Sequence, residues 1–252
     1  MREAVVHFYL TWLEIGLALP TLFALLRTTA PYGRHIREGW GKTLPSRLGW
    51  ILMEVPSTLL FAGIFALGAH RAETVPLVML AIWQLHYVHR TFVFPFRMRA
   101  KGKRMPLSVP LMGAGFNVLN SYVNGRWISH LGSYDADWLS DPRFVIGTAV
   151  FLAGMAINIH SDSVLFNLRE PGETGYKIPR GGLYRWVSSP NYLGEILEWC
   201  GWALLTWSFA GLAFAIYTVA NLAPRALSNH RWYREKFEDY PPRRRALVPF
   251  LL

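Results

Sequence analysis

Charged residues and cysteines are both scarce in this chain of 252 residues. Charged side chains make up 17% of it, against roughly 25% in average soluble domains, so the chain lacks the polar surface of a soluble enzyme. Its single cysteine, Cys200, excludes an intrachain disulfide and a cysteine-based zinc site. Hydrophobic residues make up 52%, which excludes a disordered or collagen-like chain.

The few charges that are present sum to +10. Strong basicity often indicates nucleic-acid binding, but a nucleic-acid partner is not expected, because so apolar a chain has too little polar surface. A membrane protein explains both facts, since apolar helices fill the hydrocarbon and basic residues collect on cytoplasmic loops. We predict an integral, multi-pass protein of a bacterial inner membrane or an endoplasmic reticulum, depending on the host. Its expected partners are membrane lipids, and no obligatory protein partner is indicated.

Seven apolar segments have the length of about 20 residues that a helix needs to cross the hydrocarbon core. They lie at 5–26, 48–69, 75–94, 107–124, 144–166, 191–209 and 210–227. The last two almost touch, and residues 207–211 are predicted to form the tight turn between them. The first is too long for a signal peptide. The predicted fold class is therefore all-α, a bundle of seven transmembrane helices that forms a single domain over residues 1–252.

Basic residues are concentrated on one predicted side of the membrane. The loops after spans one, three and five and the C-terminal segment hold 21 of the 26 basic residues. These residues are Arg27, Arg34, Arg37, Lys42, Arg47, Arg97, Arg99, Lys101, Lys103, Arg104, Arg169, Lys177, Arg180, Arg185, Arg225, Arg231, Arg234, Lys236, Arg243, Arg244 and Arg245. With seven spans all four segments fall on one side, and the positive-inside rule makes that side cytoplasmic. The N-terminus is then outside and the C-terminus cytoplasmic.

Polar side chains inside the predicted spans need a reason, because a charge there costs at least about 2.5–3.5 kcal/mol. At the start of span six, Ser188 or Ser189 is predicted to cap the helix. Asn191, Glu195 and Glu198 share one face of that helix by their i+4 and i+3 spacing. Glu198 lies too deep to be a capping residue, so we expect it to face a polar cavity or a basic partner.

Span five ends in a second polar stripe, formed by Asn158 and Asp162 at i and i+4. The alternative for Asp162 is a helix end that emerges into water. The following loop, 169–182, combines glycines, basic residues and a tyrosine. Glycines permit close backbone approach, and Arg and Lys are phosphate donors. Between two polar helices, this loop predicts an anion site, although it matches neither a dinucleotide fingerprint nor a P-loop.

Span three and Glu54 of span two carry groups suited to catalysis. Trp83, Tyr87 and Arg90 fall on one helical face. A phenol can hydrogen-bond to a carbonyl oxygen, and a buried carboxyl group can hold or share that proton. The alternative for Tyr87 alone is an interfacial aromatic anchor. Glu54 lies in mid-span with no sequence neighbour that could pair with it.

No metal site is predicted. His86 and His89 are expected to be hydrogen-bonding or interface residues, because neither belongs to an HExxH motif and no cysteine or acidic residue lies at ligand spacing. Further polar residues, including Asn229 and Tyr233, follow span seven. The run of arginines at 243–245 favours binding to anionic lipid headgroups over a role in substrate binding.

Taken together, these motifs resemble the steroid 5α-reductase family, the 3-oxo-5α-steroid 4-dehydrogenases. The likeness extends from about Glu54 to the C-terminus. The segments that carry it are 86–92, 154–162, 177–184, 189–195 with Glu198 and Trp199, and 225–241. The short stretch Pro-Asn-Tyr-Leu-Gly-Glu within it is also similar to motifs of sterol C14-reductases and isoprenylcysteine methyltransferases.

The resemblance implies a seven-helix membrane enzyme that uses NADPH to reduce the Δ4 double bond of a 3-oxo steroid, such as progesterone or testosterone, to the 5α-dihydrosteroid. It implies that Glu54 and Tyr87 bind the C3 carbonyl as the catalytic pair, and that Trp50 and Trp199 line the steroid pocket. The cofactor contacts that it implies are Lys103, Asn158, Asp162, Arg169, Tyr176, Asn191, Glu195, Arg225, Asn229 and Tyr233. Asn229 stands where the animal enzymes carry histidine, and the loop around Lys103 is longer than in other members.

The residues fit this chemistry. A Δ4-3-ketone accepts hydride at C5 if the charge that accumulates on the C3 oxygen is stabilised, and each preorganised donor typically contributes about 3–4 kcal/mol. Glu54 and Tyr87 would be those donors. The sequence does not identify the group that protonates C4.

Other functions stay open at this point. Another membrane reductase of sterols or enones would keep the same architecture. A lipid or isoprenylcysteine methyltransferase that uses S-adenosylmethionine would explain Asn191 and Glu195 but would leave Glu54 and Tyr87 without a role. A transporter would use the polar helices as a solute pathway, but the sequence contains no inverted repeat.

Overall fold

Seven helices account for most of residues 2–98, 102–170, 173 and 175–252, which are those described by the structure, a computed structural model. They are α1 (Arg2–Arg27), α2 (Ser46–Ala66), α3 (74–97), α4 (108–131), α5 (Pro142–Phe166), α6 (Pro190–Thr206) and α7 (Phe209–Lys236). Short 3-10 turns at Gly33–His35, Ala136–Ser140 and Gly182–Arg185 lie in the connections. The predicted all-α class is confirmed, and each predicted segment corresponds to one helix.

The predicted turn between the last two helices is also confirmed. Trp207 has a φ of 43°, in the left-handed region, and the Ser208 hydroxyl accepts a hydrogen bond from the Gly211 N–H at 2.9 Å. The largest difference between the predicted and the observed helix bounds lies at the other end of α7. This helix continues past its predicted end at 227 to Lys236. The apolar run ends where predicted, but polar residues extend the helix, so that Asn229 lies on α7 rather than after it.

The predicted side-chain cap of α6 is wrong. Ser189 occupies the N-cap position, but its hydroxyl makes no capping hydrogen bond and instead accepts one from Asn229 Nδ2 at 3.3 Å. The hydroxyl of Ser188 bonds to the side chains of His230 and Tyr240. Both serines therefore tie the start of α6 to the C-terminal part of the chain, a long-range contact that local sequence does not encode.

Four helices of the described part are long and apolar enough to cross a membrane, namely α1, α2, α5 and α7. The chain is accordingly an integral membrane protein by the length and composition of its helices. Helices α3, α4 and α6 contain more polar side chains, among them His86, Arg90, Asn117 and Glu198. The count of seven spans and their orientation remain predictions from the charge pattern.

Three helices contain a π-helical turn, at Pro56–Leu60 in α2, His89–Val93 in α3 and Trp127–Leu131 in α4. In α2 the turn begins at a proline, which has no N–H to bond to the preceding turn. A π-helical turn is wider than an α-helical one and changes the direction in which later side chains point. Glu54 lies two residues before one of these turns, and Arg90 lies within another.

Helices α5 and α6 touch along four glycines. A Cβ on Gly154 would lie 2.5 Å from the Gly194 carbonyl oxygen, and a Cβ on Gly194 would lie 2.6 Å from the backbone nitrogen of Asn158. Gly147 and Gly201 are equally close to the facing helix, since a Cβ on either would lie 2.5 Å from a backbone nitrogen. Such close approach is typical of small residues at helix contacts in membranes. It brings the polar stripes of the two helices together.

A short antiparallel ribbon, which the sequence analysis did not predict, joins two connections. Strand β1 (Thr43–Pro45) pairs with β2 (Arg104–Pro106), with Leu44 opposite Met105. The ribbon ties the α1–α2 connection to the α3–α4 connection. Arg99 and Lys101, two of the predicted cytoplasmic charges, lie outside the described residues, as do residues 171, 172 and 174 of the predicted anion-binding loop.

Large aromatic side chains form the centre of the bundle. Trp83 of α3 is fully buried and stacks on Phe61 of α2 with ring centroids 4.2 Å apart. It also contacts Tyr87, Trp199 and Trp202 at centroid distances of 4.9 to 5.3 Å. Aromatic pairs at such distances contribute about 0.5–1.5 kcal/mol each beyond area burial. This cluster fixes α2, α3 and α6 around one wall of a cavity.

Candidate active site

A cavity of about 660 Å³ lies among the seven helices and is bordered by the connections after α1 and α5. All predicted site residues except Asn158 line it. These lining residues are Trp50, Glu54, Tyr87, Lys103, Asp162, Arg169, Tyr176, Asn191, Glu195, Trp199, Arg225, Asn229 and Tyr233. The fold therefore gathers side chains that lie far apart in the sequence at one place.

The cavity has two ends, which differ in exposure. The inner half is its buried part, formed by Trp50, Glu54, Tyr87 and Trp199. The mouth is its more exposed part, formed by Arg34, Lys103, Arg169 and Tyr176. An apolar body with a polar or charged tail would match this division.

In the inner half, the Glu54 carboxyl group and the Tyr87 phenol lie beside aromatic side chains. Tyr87 is 3% exposed and Glu54 is 8% exposed. The Tyr87 ring lies 5.4 Å from that of Trp199, centroid to centroid. Asn117 of α4 donates from Nδ2 to Glu54 Oε2 at 3.3 Å and to the Met53 carbonyl at 2.7 Å. The mid-span carboxyl group, which has no partner in the local sequence, thus finds one on a neighbouring helix.

Arg90 connects three helices beside the inner half. Its guanidinium lies 3.5 Å from an Asp162 oxygen on α5 and 3.4 Å from a Glu195 oxygen on α6. It also stacks over the Trp50 ring at 4.7 Å and over Phe94 at 4.4 Å. The alternative for Asp162, a helix end that emerges into water, is wrong, because Asp162 is 4% exposed and bound in this cluster.

Asn158 supports the site from behind rather than lining it. It is 3% exposed, and its Nδ2 donates to the Asn191 carbonyl at 2.9 Å. Asn191 in turn donates from its own Nδ2 to Asp162 Oδ1 at 3.1 Å. The polar stripes of α5 and α6 therefore form one hydrogen-bonded unit, in which Asn158 contacts the cavity only through Asn191.

Glu198 has the basic partner that its depth in the helix predicts. Its Oε2 accepts a hydrogen bond from His86 Nδ1 at 2.5 Å, and the Glu198 side chain is fully buried. His86 lines the cavity and contacts the rings of Tyr87 and Trp199 at centroid distances of 4.9 and 4.8 Å. His86 is thus a hydrogen-bonding residue, as the sequence indicated, but its partner and its place at the cavity were not foreseen.

The mouth gathers cations. The Arg34 guanidinium lies over the rings of Tyr233 at 4.5 Å and Tyr176 at 6.0 Å, and Arg169 donates to the Gly175 carbonyl at 2.8 Å. Lys103 has a lowered pKa, because neighbouring atoms displace part of its hydration and because Arg169 and Arg34 repel its charge. The Lys103 side chain is exposed. Within the described residues, none of these three cations forms an ion pair.

The remaining predicted residues connect the mouth to α7. Arg225 donates to the Tyr192 hydroxyl at 3.1 Å and lies over the Tyr32 ring at 4.8 Å. Asn229 accepts a hydrogen bond from His35 Nε2 at 3.0 Å. Burial lowers the pKa of His35, and this hydrogen bond opposes the shift. The connection after α1, which carries Tyr32 to His35, therefore lies across the C-terminal helix at the mouth.

The lining residues that sequence reasoning missed include Arg34, His35, His86 and Asn117. Arg34 was counted only as a topological charge, because a basic loop residue carries no signal that separates the two roles. Asn117 lies in a span with further asparagines at 120 and 124. That stripe of amides was the one available signal, since amides buried in a membrane span require partners.

Comparison with known proteins identifies relatives of this chain. The family model of 3-oxo-5-alpha-steroid 4-dehydrogenase matches residues 103–252. The chain is 48% identical to 3-oxo-5-alpha-steroid 4-dehydrogenase 1 of Bos taurus over 248 residues, covering 96% of each protein. It is 44% identical to the human protein of the same name over 244 residues, covering 96% of this chain and 94% of the relative.

A plant protein is similar to this chain as well. The chain is 44% identical to a steroid 5-alpha-reductase of Solanum lycopersicum over 247 residues, covering 96% of each protein. The resemblance seen from Glu54 onward thus extends over nearly the whole chain and is confirmed. On this identity and coverage, the chain belongs to the steroid 5α-reductase (3-oxo-5-alpha-steroid 4-dehydrogenase) family of oxidoreductases.

Proposed function

We propose that this protein uses NADPH to reduce the Δ4 double bond of 3-oxo-Δ4-steroids, such as progesterone or testosterone, to 5α-dihydrosteroids. The observation that carries the proposal is the division of one cavity into a buried aromatic and acidic inner half and a cationic mouth. The names of the relatives state the same reaction class. A methyltransferase or a transporter would leave the Glu54 and Tyr87 pair unexplained.

The inner half suits a steroid. Trp199 is 1% exposed and Trp50 is 8% exposed, and flat aromatic side chains match the flat apolar face of fused rings. The cavity volume of about 660 Å³ falls in the usual range for small-molecule sites, roughly 300–1,000 Å³. A steroid that partitions into lipid would reach this half directly from the bilayer.

Glu54 and Tyr87 would bind the C3 oxygen. As C5 gains hydride, negative charge accumulates on that oxygen, and a phenol and a neutral carboxyl group can both donate hydrogen bonds to it. A carboxyl group this deeply buried is most stable in its neutral form. The hydrogen bond from Asn117 to Glu54 Oε2 would hold the carboxyl group in place. Because water is excluded, each donor stabilises the charge more than it would in solution.

The mouth fits the phosphates of NADPH. Arg34, Lys103 and Arg169 carry positive charge without acidic partners in the described part of the chain. NADPH bears one more phosphate than NADH, so this surplus supports NADPH. Tyr176, Arg225, Asn229 and Tyr233 border the same space. When bound, the dihydronicotinamide supplies the hydride that C5 accepts.

Residues nearer the inner half would position the reactive end of the cofactor. Asp162, Asn191 and Glu195 line the cavity between the mouth and the aromatic wall, and their hydrogen-bonding groups suit an amide and a ribose. Asn158 would act through its hydrogen bond to Asn191. Replacing Asn158 should therefore weaken cofactor binding less than replacing Asn191.

The decisive experiment supplies purified protein with NADPH and progesterone. We expect NADPH oxidation that depends on the steroid, and a 5α-reduced product identified by NMR. Parallel reactions with NADH and with S-adenosylmethionine separate the alternatives. Methyl transfer without NADPH oxidation, or flux of a solute through proteoliposomes without steroid turnover, would contradict the proposal.

We also propose that all seven helices span the membrane and form one domain over residues 1–252, with the mouth and the C-terminus in the cytoplasm. The concentration of basic residues in four segments supports this orientation. Exposed residues on both sides allow a direct test. In a Cys200→Ser background, Glu38→Cys should react with a membrane-impermeant thiol reagent only from the cytoplasm, and Asp137→Cys only from outside.

A further inference from the structure

The proposed reduction needs a proton at C4, in addition to the hydride at C5. Glu54 and Tyr87 hold the C3 oxygen in the proposed site, and their protons stabilise that oxygen. Asp162 and Glu195 also line the cavity, but both bind Arg90. A further acid at the inner half is therefore required, and it must lie near Tyr87, because C4 is bonded to the carbon that carries the C3 oxygen.

His86 meets this requirement by position. It directly precedes Tyr87 on α3, the two ring centroids are 4.9 Å apart, and both side chains line the cavity. The imidazole also contacts the Trp199 ring, with the two ring centroids 4.8 Å apart. The imidazole thus lies in the wall of the steroid pocket, beside the group proposed to hold the C3 oxygen.

The pairing with Glu198 suits His86 to hold a proton. The 2.5 Å hydrogen bond engages Nδ1, so Nε2 remains the ring nitrogen that can act in the cavity. The side chains of His86 and Glu198 are 6% and 0% exposed, and a carboxylate so close in a water-excluded place stabilises a protonated imidazole. A buried carboxylate also fixes the orientation of the ring, as in other acid–base pairs.

A purely structural role of the His86–Glu198 pair, as a contact between α3 and α6, explains less of this arrangement. Such a contact would not need to lie in the cavity wall. In the described part of the chain, Glu198 Oε1 is also left without a hydrogen-bond partner. An unpaired oxygen at a fully buried site costs about 1–3 kcal/mol or more, and this cost is understandable where the carboxylate balances a charge on His86.

We propose that His86 is the acid that protonates C4 and that Glu198 is its positioning residue, an inference that rests on the proposed function. Once hydride has been added at C5, the electron pair of the former C4–C5 double bond is delocalised over C4 and the C3 oxygen. The Nε2–H bond of protonated His86 breaks, its proton forms the new C4–H bond, and the C3 carbonyl is restored. Neutral His86 then regains a proton from water, which closes the cycle at one hydride and one proton consumed.

The stereochemistry of protonation at C4 tests this role. In D2O, the wild-type protein should place one deuterium at a single C4 position, because His86 delivers it to one face. His86→Gln should lower kcat about 10²-fold, the usual contribution of a positioned acid, and should give both C4 epimers, because water then protonates the freed enol. Steroid affinity, measured by tryptophan fluorescence, should stay within about twofold, which shows that the variant is folded.

The matched control is His89→Gln, one turn further along α3, where the side chain does not line the cavity; it should keep kcat and the single epimer. Glu198→Gln should keep the single epimer with a kcat about tenfold lower, because the charge on His86 loses its stabilisation. If His86→Gln fails to bind steroid, the double variant with Glu198→Gln replaces it, since two amides leave no buried charge unpaired.

A single C4 epimer from folded His86→Gln, or from the double variant, would overturn the proposal, whatever the rate. An unchanged kcat in Glu198→Gln would overturn the positioning role of Glu198. Failure of the proposed function would look different, because the wild-type protein would then form no reduced steroid at all.

Discussion

The two ends of the cavity carry charge in opposite ways. In and beside the inner half, charged groups have partners within the fold, as Arg90 has in Asp162 and Glu195 and His86 has in Glu198. At the mouth, the cations Arg34, Lys103 and Arg169 stand without ion pairs among the described residues. The difference indicates that the paired charges of the inner half hold the helices in position, whereas the unpaired cations of the mouth are available to bind an anionic ligand.

The strongest test of this comparison removes one charge from each end. Arg90→Met leaves the buried Asp162 and the half-buried Glu195 without a counter-charge, so we expect a loss of about 3–5 kcal/mol in stability. Arg34→Met leaves no buried acid unpaired and should cost only about 0.5–1 kcal/mol, the usual contribution of a cation–π contact. Unfolding of both variants in detergent measures this difference. Equal destabilisation by the two would contradict the comparison.

In the inner half, Tyr87→Phe tests whether Tyr87 acts in the chemical step rather than in cofactor binding. Loss of one donor at a developing oxyanion typically lowers kcat by about 10²–10³-fold, whereas NADPH affinity should hardly change, because the phenol acts mainly in the transition state. Tyr9→Phe is the matched control, since Tyr9 is 67% exposed on α1. The role assigned to Tyr87 is wrong if Tyr87→Phe retains full kcat.

At the mouth, Arg169→Ala should weaken NADPH binding about tenfold, equivalent to about 1.4 kcal/mol. NADH binding should weaken less, and rising salt should narrow the difference, because exposed charges are screened. Asn191→Ala should weaken both cofactors. Arg143→Ala is the control, since Arg143 pairs with Asp141 at the start of α5, away from the cavity. NADPH affinity that is unchanged in both Arg169→Ala and Asn191→Ala would disprove the cofactor site.

The smallest expected effect concerns His35. Its pKa in the folded chain lies below the ordinary value of 6.5 because of burial, so the unfolded chain binds a proton more readily than the folded chain does. Stability should therefore fall as the pH drops from about 7.5 to about 5.5. Thermal unfolding should show a shallower fall for His35→Gln than for the wild type. Identical pH dependence of the variant and the wild type would contradict the proposal that His35 is packed at the mouth in the folded chain.

Helix positions were predictable because crossing a membrane requires a minimum apolar length. That constraint located all seven helices and the turn at Trp207 and Ser208. It does not apply beyond the hydrocarbon, where polar residues extend α7 to Lys236. The failed Ser189 cap has a similar cause, because Asn229, a partner distant in sequence, takes the hydroxyl that a local rule assigns to the helix end.

All the residues predicted for the site except Asn158 line the cavity, but the contacts among them were not predicted. The scarcity of charge in a membrane marked Glu54, Asp162, Glu195 and Glu198 as residues that need partners. The partners themselves come from other helices, and no spacing in the sequence encodes them. Asn158 shows the limit most clearly, since its side chain binds the Asn191 backbone instead of lining the cavity.

The sequence by itself determined the all-α membrane class, the concentration of basic charge in four segments and, through its motifs, the family. These follow from local rules, because apolar length, helical spacing and charge counts are properties of short segments. Only the tertiary structure decided which charges are matched and which are left for a ligand. That outcome depends on how the α5 and α6 glycines let two backbones meet and on how the π-helical turns direct side chains, and both are properties of packed helices.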